Sequence, residues 1–296
     1  MMLDLFADGE MKIAFDTMHN EEEKDIQICG ISFRVQQFKG SMEIQEKGMM
    51  IGSTIWNSSV VLSQYLQAGA PGASHEFGPE GLRGRSVIEL GSGCAGLVGL
   101  TMAALGCERV VLTDKEEVLP MLRQNVEIFL EAARQQGQSI LPEGCAALTG
   151  KVEVLEVDWS DVDKLSQLAG GEGYDIVCGA DITYGTSIHA ALLDSMCAVA
   201  APDSKIIMAE DLRSPEAHRA FRSRFGALGL FSVRIVGPPK QLSQTNVLTL
   251  YWQSQAEAIA RRKQLANGRG WMQLEQEKEK LKEAAAPTKK KNPAIQ

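Results

Sequence analysis

An open, mostly parallel α/β sheet is the fold class this sequence predicts, and three observations predict it. Ser86–Gly96 (SVIELGSGCAG) reads as a short apolar strand, a tight turn with Gly91, Gly93 and Gly96 in G-x-G-x-x-G spacing, and then the apolar helix Leu97–Leu105. Strand and helix patterns alternate from there through Leu228, making five βα repeats. Finally, Leu230–Val236 and Asn246–Trp252 read as two strands joined by a Pro-Pro loop. With no room for a helix between them, they should pair antiparallel.

The elements follow in order. Residues 1–24 are polar and acidic, end in Glu21–Glu22–Glu23–Lys24, and are expected to be disordered. Asp25–Phe38 (DIQICGISFRVQQF) alternates apolar and polar residues around Gly30, as a strand pair or a bulged strand does. Met49–Gln67 becomes helical near Trp56, with Trp56, Val60, Leu62, Tyr65 and Leu66 close to a three-to-four spacing. Ala68–Gly84, rich in Gly and Pro, reads as a loop, as does Gly137–Gly150. Strands are predicted at Ser86–Leu90, Arg109–Asp114, Lys151–Val157, Tyr174–Gly179 and Ser204–Glu210. The paired helices are Leu97–Leu105, Val118–Ala133, Ser160–Leu168, Ser187–Ala200 and Pro215–Leu228. Tyr174–Gly179 (YDIVCG) is nearly continuous in apolar residues, as a strand covered on both faces should be. Beyond Ser254 the composition turns to Arg, Lys and Glu, which reads as a solvated helix and a disordered end. The expected organisation is a disordered 1–24, a catalytic domain over 25–254 and a charged, basic tail over 255–296.

Charge narrows the partners. The whole chain carries −8, yet Arg261–Gln296 holds ten Lys/Arg against four Glu, or +6, which leaves −14 upstream. An acidic body disfavours nucleic acid, which needs a basic surface, and suits a basic protein partner. No apolar run approaches the roughly 18–20 residues of a membrane span. The opening MMLDLFADGEMK has acids where a secretory signal has positive charge. Six cysteines stand far apart with no Cys-x-x-Cys pair, predicting buried reduced thiols in an intracellular protein and no metal.

In open α/β sheets ligands bind beyond the carboxyl ends of the strands. That places Gly91–Gly93, Asp114, Asp158–Trp159 and Ala180–Tyr184 around one cleft. Asp114 ends its strand where a carboxylate accepts both ribose hydroxyls of a nucleoside; capping the next helix is the alternative. Glu89, two residues before the first glycine, gains nothing near a pyrophosphate but is favourable near an ammonium. The pair Glu89 and Asp114 therefore tilts the expectation from a dinucleotide to S-adenosylmethionine. Asp158 can accept from an adenine amino group and Trp159 offers a flat face, unless Trp159 is simply core. Asp181 and Tyr184 set an acid and an aromatic at the cleft mouth, where both attract a lysine ammonium. Partial desolvation then lowers its pKa, and attack on the sulfonium methyl needs only positioning. A turn-capping acid and a packed loop aromatic are the plain alternatives.

The succession IGSTIWNSSVVLSQYL, GRSVIELGSGCAGLVGLTMAALG, VVLTD, EVDW and YDIVCGADITY resembles the seven-β-strand lysine methyltransferases of the family-16 group, over roughly Asp25–Trp252. That group includes enzymes acting on chaperones, elongation factors and calmodulin. The resemblance implies a Rossmann-like class I methyltransferase sheet in the order 3-2-1-4-5-7-6. It implies S-adenosyl-L-methionine held by Trp56, Gly91, Ser92, Gly93, Asp114, Trp159 and Ala180, with Asp181 and Tyr184 in the cofactor–substrate pocket. It also implies transfer to a lysine of a protein such as a chaperone or translation factor. A cytoplasmic and also nuclear monomer with no membrane or nucleic-acid partner is expected. The segment AEDLRSPEAHRAF after the fifth strand varies widely among members of that group, and the Ala68–Gly84 loop and the basic tail have no family role to carry over; these regions are expected to help select the substrate. Methylation of a histidine, a terminal amine or a small molecule, and a cofactor-binding scaffold without turnover, stay open at this point. A nicotinamide dehydrogenase would leave Glu89 and the terminal hairpin without a purpose.

Overall fold

The computed structural model describes residues 21–38, 51–68, 77–136, 150–211, 215–228, 231–236, 245–252, 254–267 and 270. The chain opens on a hairpin of β1 (Glu23–Ile28) and β2 (Ile31–Gln36), a two-stranded sheet of its own. Cys29 and Gly30 turn it with φ of 50° and 81°, the double left-handed geometry whose twist matches paired strands. Asp25–Phe38 is thus a strand pair. Glu23 and Lys24, expected to be disordered, are its first two residues, because Lys24 is buried and ion-paired to Glu21 at 2.7 Å. Of the segment expected to be disordered, Glu21 and Glu22 are also described, and residues 1–20 lie outside the described residues.

Helix α1 (Asn57–Ala68) and the single turn α2 (Pro79–Leu82) precede the main sheet. There β3 (Ser86–Leu90), β4 (Arg109–Asp114), β5 (Lys151–Glu156), β6 (Tyr174–Ala180) and β7 (Ala200–Asp211) run parallel. The strands β8 (Phe231–Val236) and β9 (Thr245–Trp252) pair antiparallel, with β9 against β7. The order is β5-β4-β3-β6-β7-β9-β8, which is 3-2-1-4-5-7-6 when β3 is counted first. The order reverses between β3 and β6, and ligand clefts in such sheets open at that switch.

Alternation along the strands assigns each residue to one of two helical layers. Val87, Val110, Leu112, Ile176 and Ile207 pack with the hairpin, α1, α3 (Leu97–Ala104) and α4 (Leu119–Gln136). Ile88, Val111, Val177 and Ile206 face the other layer, formed by α5 (Val162–Leu168), α6 (His189–Val199) and α7 (Pro215–Leu228). On α7, Ala217 and Phe221 are buried as the spacing requires, while the side chains of Phe225 and Leu228 lie outside the described residues. The predicted loop over 137–149 lies outside them too.

One expectation is corrected by packing. The helix α8 (Gln255–Ala266), placed in a solvated tail, buries Ala258 and Leu265 in the second layer and joins it to the domain. Ser254 caps it by accepting from the Glu257 N–H at 3.2 Å. Arg261, on the same face, is itself buried, and its Nη2 donates to Asp194 of α6 at 2.6 Å. A charged composition concealed an inward face because the partner acid lies far upstream.

Among the described residues no helix is long and apolar enough to cross a membrane, and no group of His, Cys, Asp or Glu is placed to hold a metal. Cys94, Cys107, Cys178 and Cys197 are buried free thiols, and Cys29 is buried as well.

Candidate active site

A cavity of about 260 Å³ opens beyond the carboxyl ends of β3, β4 and β6. Trp56, Gly91, Gly93, Asp114, Trp159, Ala180, Asp181 and Tyr184 all line it. Gly91 begins the turn with φ of 69°; a Cβ there would sit 2.9 Å from Ile182 Cγ2 and 3.0 Å from Trp159 Cζ2. Glycine is required on both counts, and the indole of Trp159 thereby packs directly over the turn. Trp56 also lines the cavity, half-buried, with its Nε1–H donated to the Ile51 carbonyl at 2.9 Å.

Asp114 stands at the end of β4. Its Oδ2 accepts from the Gly93 N–H at 2.7 Å and its Oδ1 from the Lys115 N–H at 2.8 Å. These bonds fix the carboxylate plane and still leave each oxygen acceptor capacity, on a residue that lines the cavity. Burial raises the Asp114 pKa against the pull of those two donors. Helix α4 begins only at Leu119, so Asp114 is not its cap. Asp158 is more exposed, and its Oδ1 accepts from the Ser160 N–H and Oγ–H at 2.8 and 2.6 Å, which lowers its pKa.

Two residues are not where the sequence put them. Glu89 does not line the cavity: it shares the strand face of Val87 and points into the first layer, 1% exposed. There its Oε2 accepts from the Gly99 N–H of α3 at 3.0 Å. Gly99 makes the room, since a Cβ would stand 2.9 Å from that oxygen and 2.2 Å from Leu112 Cδ2. Burial pushes the Glu89 pKa up to about 8, so the group is mostly neutral at pH 7 and offers no charge to a ligand ammonium. Ser92, named for the cofactor, also lies beneath the turn. Its Oγ accepts from the Thr113 N–H at 3.1 Å and its N–H donates to Thr113 O at 2.9 Å, tying the glycine turn to β4.

Asp181 and Tyr184 follow β6. Asp181 is 6% exposed and holds φ of 58°, a left-handed conformation uncommon outside glycine. Tyr184 reaches the surface at 37% exposure. Burial raises its pKa, and the charges of Asp114 and Asp181 raise it further, so its hydroxyl stays protonated at neutral pH. Sequence reasoning missed Gly52, Lys115, Glu117 and Ile188, which also line the cavity. Lys115 and Glu117 directly follow Asp114 and read as the first turn of a helix.

The charges around the cavity test the ligand without help from Glu89. Asp114, Glu117, Asp158 and Asp181 line it against one lysine, Lys115, with two indoles and a phenol beside them. A pyrophosphate meets repulsion there. A nucleoside with a cationic tail finds an acid for its ribose, flat faces for its base and negative charge for its sulfonium and ammonium.

Comparison with known proteins agrees. The family model described as lysine methyltransferase matches residues 37–225. Protein N-lysine methyltransferase METTL21A of Danio rerio is 31% identical over 182 residues, 60% of this chain and 71% of that protein. Protein N-terminal and lysine N-methyltransferase EFM7 of Yarrowia lipolytica is 30% identical over 172 residues, 57% of this chain and 59% of that protein. EEF1A lysine methyltransferase 3 of Xenopus tropicalis is 26% identical over 192 residues, covering 65% and 69%. The methyl donor is S-adenosylmethionine, and with its glycine turn, strand-end acid and matched length the chain belongs to the lysine methyltransferase family.

Proposed function

We propose that this cleft transfers a methyl group from S-adenosylmethionine to the side-chain amine of a lysine in a protein substrate. Trp56, Gly91, Gly93, Asp114, Trp159 and Ala180 hold the cofactor, and Asp181 with Tyr184 presents the amine. Ser92 acts one step back, by holding the turn. The observation that carries this reading is the pairing of a buried acid with a surface-reaching tyrosine on one cavity wall.

When bound, S-adenosylmethionine supplies an electrophilic methyl, whose bond to sulfur breaks as the N–C bond forms, leaving the electron pair on sulfur. Asp181 and the Tyr184 ring attract the incoming ammonium. The Asp181 carboxylate can then take its proton, directly or through water, because only the free amine has a lone pair to attack with. Walls of indole and aliphatic side chain exclude water and hold the approach in line.

The acidic body supports a basic protein partner over nucleic acid. A translation factor is the first substrate to try, since one relative carries EEF1A in its name; a chaperone is the next. We read the protein as a monomer of the cytoplasm and nucleus, with residues 25–254 plus helix α8 as the catalytic unit. A terminal α-amine is the second reading, favoured by the name of the EFM7 relative. Incubation with tritiated S-adenosylmethionine and cell lysate, followed by mass spectrometry of the labelled band, separates the two. Asp181→Asn, which tolerates the left-handed backbone but lacks the charge, should lower transfer at least tenfold. Full retained transfer would remove Asp181 from the chemistry.

A further inference from the structure

Helix α7, in the segment that the sequence reading linked only to substrate selection, packs directly behind the Asp181–Tyr184 turn. Thr183, between those two residues, is fully buried and is gripped from two sides. On one side His189 of α6 places Nε2 3.1 Å from the Thr183 carbonyl. A carbonyl only accepts, so Nε2 carries the proton and Nδ1 is the bare nitrogen, which has no hydrogen-bond partner. Burial holds His189 neutral, and its ring packs edge-to-face with Phe221, the ring centroids 5.1 Å apart.

On the other side the Thr183 Oγ1 lies 3.1 Å from Glu210 Oε1 and 3.0 Å from His218 Nδ1. The His218 Nε2 faces the Asp211 carbonyl at 2.7 Å and so carries a proton as well. Glu210 is completely buried, raises the His218 pKa, and accepts from Arg222 Nη2 at 2.7 Å. With His218 protonated, every bond closes: His218 donates to Thr183, and Thr183 donates to Glu210. Arg224 of the same helix donates to Thr186 O at 3.2 Å.

A buried ionic network is costly to assemble, and a left-handed non-glycine residue persists only where its surroundings over-determine it. Here both occur within one turn, the left-handed residue at Asp181 and the network two residues on at Thr183. We propose that Thr183 is a positioning residue, through which His189 and the His218–Glu210–Arg222 cluster fix the mutual placement of Asp181 and Tyr184. This rests on the reading of that pair given above. It gives α7 a task in the reaction: setting the geometry in which the amine is received.

The test uses Thr183→Val, which keeps the shape and loses both hydroxyl bonds, and Thr183→Ser, which restores them. Each is made in the full chain labelled with fluorotyrosine, with the Tyr184 resonance assigned by Tyr184→Phe. Thr183→Val should lower tritium transfer to lysate protein at least tenfold and move the Tyr184 fluorine resonance. Affinity for S-adenosylhomocysteine should stay within threefold of wild type, and Thr183→Ser should return both readouts. An unmoved resonance with wild-type transfer overturns the proposal. So does a joint loss of transfer and affinity, which assigns Thr183 to the fold alone. If Thr183→Val does not fold, Glu210→Gln removes the charge while keeping the shape, and the same readouts apply. If wild type labels no protein, the proposed function fails, while the fluorine resonance still decides whether Thr183 places Tyr184.

Discussion

Replacing Asp114 by Ala isolates the carboxylate at the end of β4. Its two oxygens each accept one backbone N–H, from Gly93 at 2.7 Å and Lys115 at 2.8 Å. One acceptor direction per oxygen remains, matching a pair of vicinal ribose hydroxyls. Hydrogen bonds to a charged partner contribute about 1.5–3 kcal/mol each, so losing two costs roughly 3–6 kcal/mol. At about 1.4 kcal/mol per tenfold, affinity for S-adenosylhomocysteine should fall by roughly 10²–10⁴. Asp114→Asn keeps one acceptor and turns an NH₂ toward one of the two backbone donors, so it should fall between wild type and Asp114→Ala. Calorimetry on folded variants measures both. Affinity of Asp114→Ala within threefold of wild type would mean that the ribose does not lie against β4.

Two further outcomes concern the frame around the site. Arg261→Met leaves the Asp194 carboxylate buried without its guanidinium, and should cost about 3–5 kcal/mol in urea unfolding. Asp194→Leu with Arg261→Met should recover most of that loss, and an Arg261→Met protein as stable as wild type would show that the Asp194–Arg261 pair does not help to hold α8 on the fold. Glu89 titrates near 8 in the folded chain and near 4.5 when unfolded, so the folded state binds the extra proton. Its stabilising effect is complete below pH 4.5 and declines by about 1.4 kcal/mol per pH unit as pH rises to about 8. Glu89→Gln removes that slope, so thermal melts of the two proteins should diverge steadily between pH 6 and 8; parallel melting curves would place Glu89 in contact with water.

The parallel strands were legible because a strand covered on both faces is nearly continuous in apolar residues, as Tyr174–Gly179 is apart from Asp175. The glycine turn, Asp114 and the Asp181–Tyr184 pair were legible because strand ends and short spacings place them without any distant partner. Glu89 was misread because an acid ahead of a glycine turn has two faces available, and only the packed layers decide between them. Ser92 was misread in the same way, since a residue inside the turn faces either the ligand or the neighbouring strand. Arg261 and His218 escaped for a different reason. Each looks solvated until Asp194 or Glu210 is brought beside it by the sheet.

One amide has a practical consequence for handling the chain. Asn125, buried in α4, accepts from the Gln36 N–H at 2.8 Å and donates to Gln36 O at 2.9 Å and to Cys94 O at 2.7 Å. A single side chain thus stitches the opening hairpin to the glycine loop that lines the cavity. Trimming residues 21–36 as dispensable would cut two of those three stitches and slacken the loop from behind. A shortened chain that melts early and binds weakly would reflect that cut, with every residue facing the cofactor still in place.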